Sequence, residues 1–256
     1  MGRSLRLPLL ALIFFVTMKN WNDSWEHWVH DTCRWVMPDK GIFYDIGANV
    51  GCMCIELVHS MPLATSFAFE AQAELAKALK ISIETNNLSP RIRLFEAALG
   101  DVQGSAELAH FAHDGHASLI SNEKLQYTKT KRATSVTVYT IDDLAANNLI
   151  LPPDLIKIDV EGSEASVLNG GLDDLRNAKP NIAFECSTLG HFGNVREVLS
   201  TSGSYTFFHA LGSCRPLTKV DIKTFIQKGS KIDILAVEKT RLDQLPAAFK
   251  EALCKG

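Results

Sequence analysis

Residues 42–51 read Ile42-Phe43-Tyr44-Asp45-Ile46-Gly47-Ala48-Asn49-Val50-Gly51. The first half is β-branched and aromatic around one acid, which favours a short buried strand, and the two glycines then favour a tight turn. A helical pattern begins at Ile55, so the stretch predicts a strand, a glycine loop and a helix in succession. This unit is typical of parallel α/β sheets, in which ligands bind at the carboxyl ends of the strands.

The same alternation of strand and helix patterns continues along the chain. Further apolar runs predict strands at residues 66–70, 92–99, 136–140, 155–159, 181–185, 205–208 and 232–237. Helical patterns lie at 73–86 and 164–168, with a shorter candidate at 222–227, whereas 101–135 is polar and predicts irregular structure. Alternating strands and helices favour parallel pairing. The predicted fold class is α/β, a Rossmann-like, doubly wound, mostly parallel seven-stranded sheet with helices on both faces.

Length and composition limit the partners and the compartment. The chain has 256 residues, 46% hydrophobic and 21% charged, which is typical of a soluble globular protein with one large core. Its net charge of -3 and its lack of dense lysine and arginine runs argue against a nucleic-acid partner. The six cysteines are too sparse for a disulfide framework and are interpreted as reduced thiols. We expect a single domain at residues 21–256.

Residues 1–20 form an apolar N-terminal segment that decides the localisation. Arg3 and Arg6 precede a largely apolar stretch, residues 7–18, which is short for a membrane span and resembles the core of a signal peptide. Three interpretations stay open, namely a docking helix of a soluble enzyme, a signal anchor and an interfacial helix. We expect a cytoplasmic protein, with membrane contact through residues 1–20 as the alternative.

The tryptophans follow this segment, within a predicted helix at residues 21–37. Trp21, Trp25, Trp28 and Trp35 have spacings of four, three and seven, which place them on one helical face. This pattern favours a helix docked on the core through its tryptophans. An aromatic cage for a ligand is the alternative.

The glycine loop supplies the first candidate cofactor-binding residues, Asp45, Gly47, Asn49 and Gly51. A dinucleotide-binding loop has the spacing G-x-G-x-x-G, which this loop lacks. Asp45 would repel a pyrophosphate, but it could accept hydrogen bonds from an amino group such as that of S-adenosylmethionine. The sequence therefore favours S-adenosylmethionine as the cofactor.

Three residues complete the predicted cofactor site. Glu70 ends the second predicted strand, where a carboxylate can accept hydrogen bonds from both ribose hydroxyls of an adenosine. Ala97 and Ala98 end the third predicted strand. Their small side chains would leave a slot for adenine, although ordinary packing explains two alanines equally well.

Carboxylates at the next two strand ends are the candidate catalytic residues. Asp159 and Glu161 follow one strand, and Glu185 ends the next. Asp159 is expected to face the cofactor and, with Glu185, to polarise an acceptor hydroxyl. No metal is assigned to the site, but Asp159 and Glu185 are possible ligands for a divalent cation such as magnesium.

One histidine is a candidate general base, and two lysines are given no role in the chemistry. His191 is preferred to His110, His113 and His116, which lie in the polar stretch and for which no fourth zinc ligand can be identified. Lys157 and Lys179 are interpreted as surface or supporting charges.

With these motifs in order, the chain resembles the FkbM family of S-adenosylmethionine-dependent methyltransferases from about residue 41 to residue 237. The motifs are Phe43-Tyr44-Asp45-Ile46-Gly47-Ala48-Asn49-Val50-Gly51, Ala68-Phe69-Glu70, Ala97-Ala98-Leu99-Gly100-Asp101, Thr140-Ile141-Asp142-Asp143-Leu144, Ile156-Lys157-Ile158-Asp159-Val160-Glu161-Gly162 and Ile182-Ala183-Phe184-Glu185. The resemblance implies methylation of a hydroxyl, often on a sugar or a secondary metabolite. It also implies that Asp45, Gly47, Asn49, Gly51 and Glu70 serve the cofactor.

The chain departs from the family pattern at three positions. Ala71 replaces a common proline, and Cys52 and Cys54 replace aromatic or small polar residues. None of them is among the inferred contacts.

Two other functions remain open from the sequence. One is a nicotinamide-dependent oxidoreductase, and the other is a non-catalytic scaffold that binds S-adenosylmethionine. The expected partner is a small-molecule or glycan acceptor, and the oligomeric state stays open.

Overall fold

A seven-stranded sheet lies at the centre of the structure, a computed structural model that describes residues 32–110, 117–120, 132–209, 224, 231–242 and 244–245. The strands are β1 (Ile42–Ile46), β2 (Thr65–Phe69), β3 (Ile92–Phe95), β4 (Ala98–Leu99), β5 (Gly104–His110), β6 (Ala117–Ile120), β7 (Arg132–Tyr139), β8 (Leu155–Ile158), β9 (Asn181–Cys186), β10 (Tyr205–His209) and β11 (Ile232–Glu238). The helices are α1 (Cys52–Ser60), α2 (Ala73–Thr85), α3 (Ile141–Ala146), α4 (Glu164–Asn169), α5 (Leu172–Ala178), α6 (Leu189–Ser202) and α7 (Lys239–Leu242).

The strand order of the central sheet is β10-β11-β9-β8-β1-β2-β3. Neighbouring strands are parallel except at β11, which is antiparallel to both β9 and β10. This confirms the predicted doubly wound, mostly parallel sheet. From β1 the chain builds outward to β3 and later resumes on the other side of β1 with β8. The strand order therefore reverses between β1 and β8, and a ligand crevice is expected at their carboxyl ends.

Helices cover both faces of the sheet because side chains alternate along each strand. One face is buried against α1 and α2, and the other against α4, α5 and α6. The first core includes Phe43, Ile55, Leu79, Leu155 and Leu235, and the second includes Tyr44, Ile156, Val167, Leu175 and Val195. Each large apolar side chain that is fully buried stabilises the fold by about 1.5–3 kcal/mol. The two cores hold the strand ends, and hence the site, in place.

A second sheet corrects the prediction for residues 101–135. Strands β4, β7, β5 and β6 form a separate four-stranded sheet in that order, so the described parts of this stretch are mainly extended rather than irregular. Several residues of β5 and β7 are exposed or half-buried, and the alternation of apolar and polar residues that marks a strand is therefore weak. The third predicted strand is also divided, because β3 ends at Phe95 and Ala98–Leu99 pairs with β7.

Helix α6 was not predicted from the sequence. Gly190 and Gly193 lie inside it and lower its helix propensity. Phe192, Val195 and Leu199 are buried in the second core. Burial of this apolar face therefore outweighs the weak local preference.

The helical turn at residues 32–36 corrects the prediction of a docked tryptophan face for Trp35, the tryptophan that the described residues include. Cys33, Val36 and the adjoining Met37 are buried in the first core, whereas Trp35 is 48% exposed. The turn thus docks through small and flexible side chains, with Trp35 on its outer side.

Several predictions concern residues outside the described parts of the chain. These are the segment 1–20, Trp21, Trp25, Trp28, His113, His116 and most of the helix candidate at 222–227. Among the helices that the structure describes, none is long and apolar enough to cross a bilayer.

Candidate active site

The loop between β1 and α1 needs glycine at two positions. Gly47 has φ +77°, and a Cβ atom there would lie 2.0 Å from the carbonyl oxygen of Asp159. Gly51 has φ +88°, and its Cβ would lie 2.1 Å from Leu79 Cδ1 in α2. Asn49 is left-handed too, with φ +54°. The loop can therefore pass closely between the end of β8 and α2 only with glycine at positions 47 and 51.

The backbone N–H groups of this loop are already bonded within the protein. Gly47 and Ala48 both donate to the Phe69 carbonyl at 3.0 Å, and Gly51 donates to the Ala48 carbonyl at 2.8 Å. Asn49 N–H donates to Glu70 Oε2, and Val50 N–H donates to Asn49 Oδ1, each at 2.8 Å. A phosphate-binding loop leaves such donors for its ligand. This geometry therefore suits a cofactor without phosphate.

Asp45 anchors the loop from inside the protein. Its side chain is fully buried, and Oδ2 accepts a hydrogen bond from Cys54 N–H at 3.0 Å, near the start of α1. Burial raises the pKa of Asp45, while the nearby Lys157 ammonium, 3.7 Å from Oδ1, lowers it. The carboxylate has no exposed surface, and its predicted role near the cofactor amino group stays a prediction. Asp45 holds the residues that would contact a ligand.

Glu70 follows β2 and also supports the loop. Its Oε2 accepts the Asn49 N–H, and its Oε1 accepts the Gln72 N–H at 2.7 Å. Burial raises the pKa of Glu70, and these two backbone hydrogen bonds lower it. Each carboxylate oxygen keeps a second acceptor position. The predicted contact with ribose hydroxyls is compatible with this arrangement and stays a prediction.

The region predicted to hold adenine is built differently from the expectation. Ala97 is buried after the end of β3, and Ala98 is in β4, so neither ends a strand of the central sheet. Phe95 ends β3, and its ring stacks on Phe69 with centroids 5.0 Å apart. The Arg93 guanidinium lies 4.9 Å from the Phe95 ring centroid. The adenine role of Ala97 and Ala98 stays a prediction.

The three predicted catalytic carboxylates lie together beyond β8 and β9. Glu161, with φ +51°, and Gly162, with φ +98°, form a tight turn after β8. Carboxylate oxygens of Asp159, Glu161 and Glu185 all lie within 4.8 Å of one another. That spacing is suitable for oxygen ligands of a divalent cation. The Lys231 ammonium already pairs with this group, 2.7 Å from Glu185 Oε1 and 3.4 Å from Glu161 Oε2.

Asp233 joins this group and was missed by the sequence analysis. It lies directly opposite Glu185 in the antiparallel pair of β9 and β11. Burial, together with the neighbouring carboxylates of Glu185 and Asp159, raises the pKa of Asp233 to about 7. The sequence feature that could have identified Asp233 is its position as an acid within the apolar run that forms β11. A carboxyl group that titrates near neutral pH is suited to proton transfer.

The burial of Lys157 within the site was also not predicted from the sequence. It is buried in β8, and its ammonium lies 3.4 Å from Asp159 Oδ2 as well as near Asp45. The surface or supporting role given to it from the sequence is corrected in one respect, because this lysine is inside the site. An isolated lysine in a strand pattern carries no signal of such burial.

His191 lies at the first turn of α6, beside Glu164 at the start of α4. Its Nε2 lies 2.5 Å from Glu164 Oε2, and both side chains are largely buried. Glu164 also accepts the Gly162 N–H at 3.2 Å. The pair thus joins the first turns of α4 and α6. Among the described contacts of His191, none is to Asp159 or Glu185. The role of His191 as a base stays a prediction.

Comparisons with known proteins show which proteins the chain is similar to. Residues 45–212 match the family model of the Methyltransferase FkbM domain. The chain is 24% identical over 182 residues to Methyltransferase 1 of Beauveria bassiana, covering 65% of this chain and 73% of that protein. It is 28% identical over 155 residues to the 2-O-methyltransferase NoeI of Sinorhizobium fredii, covering 56% of this chain and 61% of NoeI.

A solved structure supports the fold. Methyltransferase FkbM from Methylobacillus flagellatus KT has a TM-score of 0.50 and 18% identity, over 77% of this chain and 44% of that chain. The present chain thus corresponds to less than half of that solved chain. The region matched by the family model contains the glycine loop, Glu70, Asp159, Glu161 and Glu185, and it spans well over half of the sequence. The protein therefore belongs to the FkbM family of class I S-adenosylmethionine-dependent methyltransferases.

Proposed function

We propose that this protein transfers a methyl group from S-adenosylmethionine to a hydroxyl oxygen of a sugar or another small metabolite. The observation that carries the proposal is the loop at residues 47–51, whose five N–H groups are bonded internally beside a buried Glu70. Carboxylates suited to handling a hydroxyl proton lie at the neighbouring strand ends. The name of NoeI, a 2-O-methyltransferase, supports oxygen as the acceptor atom.

The residues present fit the cofactor. Bound S-adenosylmethionine would supply an electrophilic methyl group on a positively charged sulfur. Glu70 would accept hydrogen bonds from the ribose hydroxyls, while Asp45 and the glycines keep the loop in place. The internally bonded loop offers little to a pyrophosphate, and with the family membership this disfavours the nicotinamide alternative.

The carboxyl group best suited to accept the acceptor's proton is Asp233. A base works best when its pKa is near the working pH, and burial raises the pKa of Asp233 to about 7. Burial raises the pKa of Glu185 as well, but its Oε1 is already bound by the Lys231 ammonium, which lowers that pKa and occupies an acceptor position. We therefore assign Asp159, Glu161 and Glu185 to binding and orienting the hydroxyl, and proton acceptance to Asp233.

We further propose that transfer proceeds without a divalent cation. The Lys231 ammonium supplies a positive charge to Glu161 and Glu185, which a metal would otherwise supply. Activity should therefore persist in a chelator and should not rise on addition of magnesium. Loss of activity in the chelator, restored by magnesium, would contradict this.

The first experiment is a calorimetric titration of the full chain with S-adenosylmethionine and, separately, with NADH. A transfer assay with methyl-labelled S-adenosylmethionine then screens hydroxylated sugars and small metabolites. Saturable binding of S-adenosylmethionine alone, followed by label on an oxygen, supports the proposal. Binding without transfer to any hydroxyl favours a non-catalytic scaffold, and the absence of binding contradicts the assigned site.

The role of Asp233 is tested by Asp233→Asn, with the exposed Asp173→Asn as the matched control. The amide cannot accept the proton, so turnover should fall sharply while affinity for S-adenosylmethionine changes little. The wild-type rate should rise through about pH 7, and this rise should be absent in Asp233→Asn. An unchanged pH–rate profile would exclude Asp233 as the base.

A further inference from the structure

Lys157 is a buried lysine in the middle of the central sheet. Its side chain is only 10% exposed. In register it lies between Asp45 on β1 and Ala183 on β9. Burying an ammonium group is costly unless opposite charges and hydrogen bonds compensate for the lost water. The identity of its partners therefore indicates what the lysine does.

The two carboxylates that Lys157 contacts belong to different parts of the site. Asp45, 3.7 Å away, is fully buried and accepts a hydrogen bond from Cys54 N–H. It therefore fixes the start of α1 and the end of the glycine loop. Asp159, 3.4 Å away, is 30% exposed and lies beyond β8, beside Glu161 and Glu185. A counter-ion for Asp45 alone would not need the second contact.

A backbone contact brings the same two parts together. The Gly47 position lies directly against the Asp159 carbonyl, where a Cβ atom would be only 2.0 Å from the oxygen. The N–H of Asp159 donates to the Ile46 carbonyl at 2.9 Å. The end of β8 and the start of the loop are thus in contact through the backbone, and Lys157 adds a contact through the side chains.

We propose that Lys157 is a positioning residue that couples the glycine loop, through Asp45, to the Asp159 carboxylate. The ammonium keeps the cofactor side and the acceptor side of the site in one relative geometry. This inference rests on the proposed function, in which the glycine loop serves the cofactor and Asp159 helps to bind the acceptor hydroxyl.

The test measures coupling between the two carboxylates in the full chain. The probe is S-adenosylhomocysteine, and its affinity is determined by calorimetry for wild type, Asp45→Asn, Asp159→Asn and the double variant. If Lys157 links the two, each single change weakens binding, and the second change adds little once the first has been made. The double variant should then bind S-adenosylhomocysteine about fivefold more tightly than expected if the losses of affinity in the two single variants were independent and multiplied.

The same cycle is repeated in the Lys157→Met and Lys157→Arg backgrounds. The coupling should disappear with methionine and persist with arginine, which keeps a cation between the carboxylates. A merely structural role of Lys157 would change thermal stability without changing this coupling. If Lys157→Met does not fold, the wild-type cycle and the arginine background still decide the question.

The outcomes separate this inference from the proposed function. Binding by wild type with independent effects of Asp45→Asn and Asp159→Asn overturns the role of Lys157 and leaves the cofactor site intact. Coupling that survives in Lys157→Met also overturns it. No binding by wild type overturns the proposed function and, with it, this inference.

Discussion

Glu70 is the residue whose charge most directly tests the cofactor site. It is buried, and both carboxylate oxygens accept backbone hydrogen bonds, so Glu70→Gln would lose an acceptor at one of them. Hydrogen bonds to charged groups contribute about 1.5–3 kcal/mol, so affinity for S-adenosylmethionine should fall by roughly tenfold or more. The measurement is calorimetric titration, with the exposed Glu74→Gln as control. Equal affinities of the two variants would show that Glu70 does not bind the cofactor.

Gly47 tests the close approach between the loop and β8. Gly47→Ala introduces a Cβ atom 2.0 Å from the Asp159 carbonyl oxygen, in addition to the strain of φ +77°. Gly162→Ala is the matched control, since it has φ +98° and no atom within 4 Å of its Cβ. Left-handed strain alone costs about 1–3 kcal/mol, and Gly47→Ala should lose more free energy of unfolding than the control. Urea denaturation measures both, and equal losses would indicate that the loop can move away from β8.

At the residue scale, the sequence could identify the acids but not their surroundings. Asp45 and Glu70 were found because strand ends in a parallel sheet mark a ligand site. The burial of Asp45 could not be predicted, because it depends on α1 and on Lys157, 112 positions further along the chain. Asp233 was missed for a similar reason, since its position opposite Glu185 follows from the antiparallel pairing of β11.

At the element scale, helix α5 begins with an arrangement that makes stability depend on pH. The Asp142 carboxylate accepts N–H groups of Asp173 and Asp174 at the start of the helix. Asp174 is itself buried, and burial, with help from Asp142, raises its pKa from 3.8 to about 6. Its ionised form is therefore disfavoured in the folded protein. The destabilisation is absent below about pH 3.8, grows between about pH 4 and 6, and is complete above that range.

Asp174→Asn should remove this destabilisation. At pH 7.5 the variant should be more stable than wild type by about 1–3 kcal/mol, and the difference should shrink towards pH 4. The free energy of unfolding in urea at several pH values measures this. Asp173→Asn, an exposed neighbour on the same helix, should keep the wild-type pH dependence. A pH dependence of Asp174→Asn like that of wild type would contradict the assignment to Asp174.

The success of prediction also differed among elements. Strands β1, β8 and β9 were predicted closely because they are buried on both faces and are mainly apolar, with one charged residue in each. Strand β5 and the first half of β7 carry exposed polar residues and resemble a loop, whereas the second half of β7 falls in the strand predicted at residues 136–140. Helix α6 contains two glycines and forms through its contacts with the second core, which local sequence patterns do not encode.

At the scale of the whole molecule, the charged groups of the site lie on one face of the sheet. Asp45 and Lys157 are paired in register across β1 and β8, and Glu185 and Asp233 across β9 and β11. Lys157 is opposite Ala183, and Glu185 follows Ala183 by two positions, so all four side chains share that face. The proposed acceptor groups and the loop anchor are thus joined across four strands. Ligand binding at this edge should stabilise the central sheet.

This gives a prediction for the stability of the whole chain. A ligand that binds only the folded state, at one hundred times its Kd, adds about 2.7 kcal/mol to the free energy of unfolding. For a protein of this size each kcal/mol raises Tm by roughly 2–4 °C, so S-adenosylhomocysteine should give a rise of about 5–10 °C. Differential scanning calorimetry measures it, with NADH at the same concentration as the control. The rise should shrink in Glu70→Gln at equal ligand concentration, because weaker binding lowers the ratio of ligand to Kd. A rise that is equal for both ligands, or equal in both proteins, would mean that stabilisation does not come from the site beside Glu70.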